Sequence, residues 1–487
     1  MTLMSLILIL LVGGIVAWLS ESINEHAPKV IAAISLVIAS VPLLPILFAL
    51  DLTSQQPWLV NEIVPWIPRF NISFHLALDG LSLLLVLLTL SMGLVAVMAA
   101  WKEIKRRAGF FYFNLLWSMA GVIGVFCALD LFLFFVLWEV MLIPMYLLIA
   151  IWGYENKRYA AMKFFLYTQA GGLLMLLSIS ALVLLHYQQS GQLTFDYLDL
   201  LKHQLSDRAA FWVMLGFFFA FVIKLPIVPF HNWLPDAHTQ APTAVSVILA
   251  AVLLKTGGYG LIRFVLPLFP DATLEIAPYV MALAGVSIIY GALMAFSQQD
   301  LKRLIAYSSV SHMGFVLLGC YALTQHAWQG AVMQMLAHGV STAALFALVG
   351  AIQYRYHTRD LNELGGLWQT IPKLSAVGLF FVVASLGMPG LGNFVAEFLV
   401  LIGSFATYPI LTVVAASGLI LAAVYSLTIA QKTFFGPLKL GHAVDLDKRE
   451  VVMMLSMAIL LIIMGLHPQP LLDLAQQTLN QFPLGAK

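Results

Sequence analysis

Six ionisable side chains lie inside long apolar runs of this sequence. They are two carboxylates, two lysines and two histidines: Glu139, Lys224, Lys255, His312, His338 and Glu397. An ionised group at the centre of a membrane costs at least about 2.5–3.5 kcal/mol, and such groups usually carry function. Acids and bases in one file can pass protons, because an approaching proton weakens one ion pair and changes the proton affinity of its neighbour.

Each of these residues also has a simpler interpretation. Glu139, in the run FFVLWEVMLIP, could be a neutral acid bonded to a neighbouring helix, and Glu397 could cap a helix. Lys224 or Lys255 could extend its ammonium group to the membrane surface, and either histidine could simply bond two helices. The depth of these residues within their apolar runs favours proton exchange over the simpler interpretations. Lys255, for example, lies about twelve residues from either end of its run.

Two apolar runs contain helix-breaking residues close to these charges. Pro226 and Pro229 follow Lys224, and both cannot lie in a regular helix without freeing backbone carbonyl groups. Pro389, among three glycines, precedes Glu397. Broken helices are tolerated in membranes where their backbone lines a polar cavity. The sequence therefore predicts two discontinuous helices, each with a charged residue near its break.

Four further polar residues have structural interpretations. Asp79 and Asp130 stand directly before apolar runs, where an aspartate typically caps the N-terminus of a helix. Asp236 and His238 follow the first predicted break, and we expect them to lie near water.

Composition places all of these residues in a membrane protein. The chain has 487 residues, of which 61% are hydrophobic and 10% are charged, whereas a soluble domain is about 45–50% apolar and about 25% charged. These values exclude a soluble enzyme and a disordered protein, and a net charge of +1 argues against nucleic-acid binding. Cys127 and Cys320 are too few for a disulfide framework or an iron–sulfur site.

Fourteen apolar stretches are long enough to cross a bilayer, which needs about 20 residues per helix. Their expected limits are 2–20, 29–50, 79–101, 109–129, 131–153, 160–187, 210–236, 243–266, 276–297, 301–322, 328–354, 373–404, 409–434 and 451–467. The predicted fold class is an all-α polytopic membrane protein. The first stretch lacks the basic n-region and cleavage site of a signal peptide, so we expect it to remain as a helix.

Basic residues predict the orientation of the chain. Of the 24 lysines and arginines, 17 fall in odd-numbered connections, and the opposite side has five: Arg69, Lys202, Arg208, Arg263 and Lys487. Cytoplasmic connections usually carry the excess of basic residues. We therefore expect a multi-pass protein of a bacterial inner membrane, with the odd-numbered connections in the cytoplasm and both termini in the periplasm.

Three motifs resemble those of a known family: FHNWLPDAHTQAPTAVS (230–246) running on to LKTGGYG (254–260), DLKRLIAYSSVSHMG (300–314) and LWEVMLIPMY (137–146). The chain resembles the antiporter-like membrane subunits of the proton-pumping NADH:quinone oxidoreductase, respiratory complex I, from the third span to the last. Mrp-type sodium/proton antiporters and membrane-bound hydrogenases share these motifs. Two features point to one particular paralogue. Glu397 stands where most of the family has a lysine, and only a short segment follows the last span.

The resemblance implies fourteen helices with two inverted five-helix repeats. The expected divisions are 1–108 for helices 1–3, 109–270 and 271–436 for the two repeats, and 437–487 for helix 14 and the tail. The resemblance also implies that Glu139 pairs with Lys224. It implies a proton route from Lys255 through His312 and His338, which ends at Glu397 as the exit-side acid.

The resemblance further implies what surrounds the chain. The sequence has no phosphate-binding glycine loop, Walker motif or cysteine cluster, so NADH, FMN, iron–sulfur clusters and quinone are expected on partner subunits, with no cofactor or metal on this chain. The expected partners are other membrane-arm subunits, with antiporter-like paralogues on either side, the lipid bilayer and protons, but no nucleic acid.

Three other functions remain open from the sequence. A subunit of an Mrp-type cation/proton antiporter has the same motifs. A cytochrome would use His312 and His338 as axial haem ligands. A purely structural membrane spacer would have no need of so many costly ionisable residues.

Overall fold

The computed structural model describes residues 2–50, 57–202 and 205–480. Within these residues, twelve helices are long and apolar enough to cross a membrane. Two further spans are each built from two shorter helices, which gives the fourteen that the sequence predicts. The all-α fold class is confirmed, apart from one small hairpin of two strands.

The first eight spans run from the N-terminus to the middle of the chain. They are α1 (Thr2–Ser20), α2 (Ala27–Phe48), α3 (Gly80–Glu103), α4 (Ala108–Cys127), α5 (Leu131–Trp152), α6 (Lys157–Ser190), α7a (Asp207–Lys224) with α7b (Trp233–Gln240), and α8 (Thr243–Leu268).

The remaining six spans are followed by a short helix. They are α9 (Pro270–Phe296), α10 (Leu301–Tyr321), α11 (Gln325–Tyr356), α12a (Pro372–Ser385) with α12b (Gly392–Phe405), α13 (Pro409–Phe434), α14 (Lys448–Leu466), and finally the short α15 (Gln469–Leu479).

Both predicted helix breaks are confirmed. The chain leaves the helix after Lys224 and resumes it at Trp233, and it does so again between Ser385 and Gly392. The indole of Trp233 donates a hydrogen bond of 2.9 Å to the carbonyl of Ile223, which ties the two parts of α7 together across the break. The two broken spans are the seventh and the twelfth, so they cross the membrane in opposite directions.

One face of the molecule carries an antiparallel hairpin of β1 (Val60–Ile67) and β2 (Ile72–Leu78), which the sequence did not predict. The amide of Leu3 donates to Glu62 in β1. The amide of Leu81 donates to the hydroxyl of Thr478 in α15 over 3.1 Å. The start of α1 and the short helix α15 therefore lie on this face, which we call the hairpin face.

The opposite face gathers the odd-numbered connections, and we call it the basic face. Glu103, at the end of α3, accepts hydrogen bonds from the hydroxyl of Tyr154 and the amide of Thr243. Lys102 pairs with Asp447 over 2.7 Å. Burial tends to raise the pKa of Asp447, but hydrogen bonds from Lys102 and from the Glu450 amide outweigh it and lower that pKa.

The helices that carry Lys255, His312 and His338 are the most deeply buried of the twelve continuous spans. The most apolar segments of α8 and α10 are wholly buried, whereas about two thirds of the residues in those of α1, α2 and α13 are not buried within the chain. Close helix packing in membranes uses small residues. Gly257 shows this, because a Cβ atom there would lie 2.6 Å from the carbonyl oxygen of Phe221 in α7a.

The predicted helix caps are confirmed. Asp79 accepts a hydrogen bond of 2.9 Å from the amide of Ser82, and Asp130 accepts from the amides of Phe132 and Leu133.

Two other expectations were wrong. His238 was expected near water, but it is fully buried and its ring stacks on Phe346 at 4.4 Å, because α7b packs against α6 and α10. Arg263 was expected in a connection, but it lies inside α8, where a carboxylate compensates its charge. Asp236 is partly exposed and pairs with Lys163 over 2.7 Å.

Candidate proton-transfer site

Lys255 lies in the middle of α8, between π-helical turns at Leu249–Leu253 and Leu261–Val265. Its side chain is fully buried. The Nζ atom lies 2.6 Å from the carbonyl oxygen of Ala250 and 2.8 Å from Nδ1 of His338 in α11. Such π-helical turns are rare and occur frequently at functional sites. The lysine is thus held by one fixed backbone acceptor and by one group that can itself exchange a proton.

Two histidines continue the polar contacts away from Lys255. The ring centroids of His338 and His312 are 5.4 Å apart. Nδ1 of His312 lies 3.1 Å from the Oε1 atom of Glu397. The hydroxyl of Tyr425 in α13 lies 3.1 Å from Nε2 of the same ring, and the side-chain amide of Gln334 also approaches Nδ1. His312 is therefore oriented from three neighbouring helices.

Glu397 lies in the second part of the broken twelfth span, and its side chain is almost fully buried. Its Oε2 atom faces the break, because a Cβ atom on Gly387 would lie 2.6 Å from it. One turn earlier in α12b, Asn393 donates a hydrogen bond of 3.2 Å to Ser341 in α11. The break therefore brings α12b against α11 and directs the carboxylate toward His312.

Glu139 and Lys224 form a looser pair. Lys224 ends α7a and is buried, and its Nζ atom lies 5.3 Å from the ring centroid of Trp138 and 5.4 Å from that of Phe164. Glu139 on α5 is half-buried and interacts electrostatically with Lys224. Within the described residues, no ion pair of 4 Å or less joins the two, and neither Glu139 Oε1 nor Lys224 Nζ has a hydrogen-bond partner.

The structure thus brings four of the six predicted residues into one series of contacts, which runs from Lys255 through His338 and His312 to Glu397. Glu139 and Lys224 lie outside that series. The backbone at Leu225, directly after Lys224, packs on α8 beside Gly257, which is two residues from Lys255.

Several residues of the site were not predicted from the sequence. Trp138 and Phe164 flank Lys224, while Gln334 and Tyr425 hold His312. Only Trp138 gave a signal, as the neighbour of Glu139 in an otherwise aliphatic and phenylalanine-rich run. The other three are polar or aromatic residues of a kind that membrane helices commonly contain.

The contacts of His312 argue against the haem interpretation. Both of its ring nitrogens lie within hydrogen-bond distance of other side chains, namely Glu397 and Gln334 at Nδ1 and Tyr425 at Nε2. Neither nitrogen is free to ligate an iron. The described residues contain no group of three or more His, Cys, Asp or Glu residues placed to hold a metal ion.

The chain has fourteen spans, two of them broken, and they surround a buried series of a lysine, two histidines and a glutamate. This combination defines the class of antiporter-like membrane subunits. The family model described as NADH:quinone oxidoreductase/Mrp antiporter, transmembrane, matches residues 128–423. The chain belongs to this family.

Within the family, two relatives that cover nearly the whole chain carry the same name. NADH-quinone oxidoreductase subunit M of Pseudomonas aeruginosa is 51% identical over 98% of this chain and 96% of that protein. The subunit M of Escherichia coli K12 is 50% identical with the same coverage. The resemblance to the complex I family is thus confirmed, and so is the paralogue that Glu397 indicates.

Solved structures show the same fold. A chain of respiratory complex I from Thermus thermophilus with bound NADH has 31% identity and a TM-score of 0.88, and the match covers 100% of both chains. A chain of the Mrp complex from a Dietzia species has 23% identity and a TM-score of 0.84, over 98% of this chain and 52% of that one. The second similarity shows the fold alone.

Proposed function

We propose that this chain is a proton-translocating, antiporter-like subunit in the membrane arm of a respiratory complex I. It would couple NADH:quinone electron transfer, carried out on partner subunits, to proton movement across the membrane. The names of its relatives support the complex, and the series of contacts from Lys255 to Glu397 supports proton transfer. That series is the observation that carries the proposal, because a scaffold has no need of four adjoining buried ionisable groups.

Proton transfer follows the contacts. Lys255 exchanges a proton with Nδ1 of His338, which lies 2.8 Å from Nζ. Nε2 of His338 has no hydrogen-bond partner among the described residues, so it is the nitrogen that would release a proton toward His312. Nε2 of His312 would accept that proton, with the hydroxyl of Tyr425 turning to accept from it. His312 delivers the proton to Glu397 through Nδ1. Histidine suits both relay positions because it titrates close to physiological pH.

Glu139 and Lys224 control the relay rather than carry its proton. When the ammonium of Lys224 approaches Glu139, its positive field at the neighbouring α8 weakens, and Lys255 can bind a proton more readily. When the Lys224 ammonium moves away from Glu139, its positive field at α8 strengthens and favours release of the proton from Lys255 toward His338. Energy for this movement arrives by conformational or electrostatic coupling through neighbouring membrane subunits.

Replacement of Lys255 tests the proposal. Lys255→Met keeps the volume of the side chain but cannot bind a proton, so we expect it to abolish coupled proton pumping in the reconstituted complex. Lys255→Arg retains a fixed positive charge but does not deprotonate, so we expect it to fail as well. An unchanged proton-to-electron stoichiometry with Met would remove Lys255 from the path and contradict the proposal.

Cofactors, partners and orientation belong to the same proposal. NADH, FMN, iron–sulfur clusters and quinone would be bound by other subunits, and this chain would carry no redox centre. Antiporter-like paralogues would flank it in the membrane arm. The basic face would lie in the cytoplasm, since basic residues concentrate there, and both termini would lie in the periplasm.

An Mrp-type cation/proton antiporter subunit is the alternative. The relatives favour complex I, since subunit M of Pseudomonas aeruginosa is 51% identical over 98% of this chain. Purification of the tagged chain from native membranes distinguishes the two. A complex I subunit should co-purify with redox subunits and NADH:quinone reductase activity, whereas an antiporter subunit should bring neither.

A further inference from the structure

A buried ion pair lies apart from the proposed proton route. Arg263 in α8 pairs with Asp79, which precedes α3, and each side chain is 1% exposed. Asp79 uses its other oxygen to accept the amide of Ser82. The guanidinium also lies 5.2 Å from the ring centroid of Trp58, just before the hairpin. An ion pair buried this deeply is costly to form, so its retention requires an explanation beyond stability.

The pair completes a polar column on the side of α8 that also carries Lys255, whose Nζ atom itself bonds to the carbonyl of Ala250 and to His338. Lys255, Tyr259 and Arg263 are spaced four residues apart and share one side of α8. Nε of Arg263 donates to the hydroxyl of Tyr259 over 3.3 Å, and that hydroxyl donates to the carbonyl of Phe126 over 3.0 Å. At about 1.5 Å per residue, the column extends roughly 12 Å from Lys255 toward the hairpin face.

A proton that left Lys255 along this column, instead of through the contact with His338, would have a second way out. The proposed route leaves α8 sideways, through His338 toward Glu397. The column would lead directly along α8 to the hairpin face, and a proton that escaped there would bypass both histidines and the exit-side acid.

We propose that Arg263, held by Asp79, is a barrier that closes this second exit. A guanidinium stays protonated in proteins, so it cannot relay a proton, and a fixed positive charge in a narrow path repels protons. Asp79 binds Nη2 of the Arg263 guanidinium, while Nε of the same group faces Tyr259, which lies between Arg263 and Lys255 along α8. The other electrostatic neighbour of Arg263, Tyr197, is neutral near pH 7. This inference rests on the proposed function, since it assigns the direction of proton release from Lys255.

Passive proton permeability tests the barrier. The purified complex with Arg263→Gln is reconstituted into liposomes, and the decay of an imposed pH gradient is followed with a pH-sensitive dye, with potassium and valinomycin present and NADH absent. We expect the gradient to decay several-fold faster than with the parent complex. Arg69→Gln, an exposed arginine in the turn of the same hairpin, is the matched control and should leave the decay unchanged.

Two further variants separate a barrier from a structural role. Asp79→Asn with Arg263→Gln removes both charges, so no lone buried charge remains to disturb folding, and we expect it to leak as well. Arg263→Lys keeps the ion pair but can release a proton, so its leak should fall between those of the parent and Arg263→Gln. If the assembled variants retain the parent decay rate, Arg263 is not a barrier.

A third variant links the leak to Lys255. Adding Lys255→Met to Arg263→Gln should return the decay to the parent rate, since the leak is expected to pass through the lysine. A leak that persists would show a path that avoids Lys255 and would overturn the inference. Because no electron transfer is involved, this result is independent of whether Lys255→Met alone abolishes pumping, so the two proposals can fail separately.

Discussion

Lys224 is held by two aromatic rings rather than by a direct contact with a carboxylate. A cation over an aromatic face gains about 0.5–1 kcal/mol at an exposed site and about 2 kcal/mol or more when it is desolvated. The ammonium can therefore remain buried while its distance from Glu139 changes. A charge held in this way suits a switch better than a tight ion pair, whose separation costs more.

Removal of the carboxylate tests this role at the scale of single residues. Glu139→Gln keeps the size of the side chain but removes its charge, so Lys224 loses the partner toward which it moves. We expect the complex to assemble, because the rings of Trp138 and Phe164 still hold the lysine, but coupled pumping to be abolished. Lys224→Ala should give the same result.

The measurement is the proton-to-electron stoichiometry of the reconstituted complex, with assembly checked by native electrophoresis. Glu155→Gln, in the exposed connection after α5, is the control and should pump normally. A Glu139→Gln complex with the parent stoichiometry would show that the pair has no part in coupling.

At the scale of elements, the break in α12 is a device for placing Glu397. Gly387 and Gly390 both adopt left-handed backbone conformations, with φ values of +81° and +94°, which favour glycine. They differ in what lies beside them. A Cβ atom on Gly387 would lie 2.6 Å from Oε2 of Glu397, whereas one on Gly390 would lie 3.8 Å from Leu466.

This difference allows backbone strain to be separated from displacement of the carboxylate. Gly387→Ala and Gly390→Ala should each destabilise the break by about 1–2 kcal/mol, the cost of a left-handed residue with a side chain. Only Gly387→Ala should also lower the pumping stoichiometry, because it pushes Glu397 away from His312. Thermal stability and pumping are compared in the two variants, and equal pumping losses would show that strain alone is responsible.

The prolines and glycines of both breaks predict these elements from the sequence, because they remove or weaken helical hydrogen bonds whatever surrounds them. The π-helical turns on either side of Lys255 were not predicted. Neither LAAVL nor LIRFV contains a helix-breaking residue, so no local pattern indicates these turns.

At the scale of the whole molecule, the six ionisable residues divide into a switch on α5 and α7a and a relay on α8, α10, α11 and α12b. If the switch drives the relay, the two act in series. Effects of residues that act as a unit are strongly non-additive. The Glu139→Gln, Glu397→Gln double variant should therefore lose no more pumping than either single variant.

Proton-to-electron stoichiometry, measured in parallel for the parent complex, both single variants and the double variant, provides the comparison. Partial losses in the single variants that add up in the double variant would indicate two independent proton paths through the chain. The series arrangement would then be wrong.

The sequence alone determined which residues are costly, where they lie along the chain and how many helices hold them. Apolar length sets the number of spans, a charge in an apolar run is conspicuous by its cost, and proline breaks a helix wherever it stands. These are local properties, so fourteen spans, both breaks and the caps at Asp79 and Asp130 followed from the sequence.

Only the tertiary structure decided which of these residues meet. Lys255 contacts His338 across 83 residues of chain, and His312 contacts Glu397 across 85, which no local pattern specifies. The same holds for Arg263, whose position near a helix end suggested an exposed charge. Its partner Asp79 lies 184 residues away and was already assigned to a helix cap. The physical reason is that the energy of a buried charge depends on what surrounds it, and the packing of helices far apart in the sequence determines those surroundings.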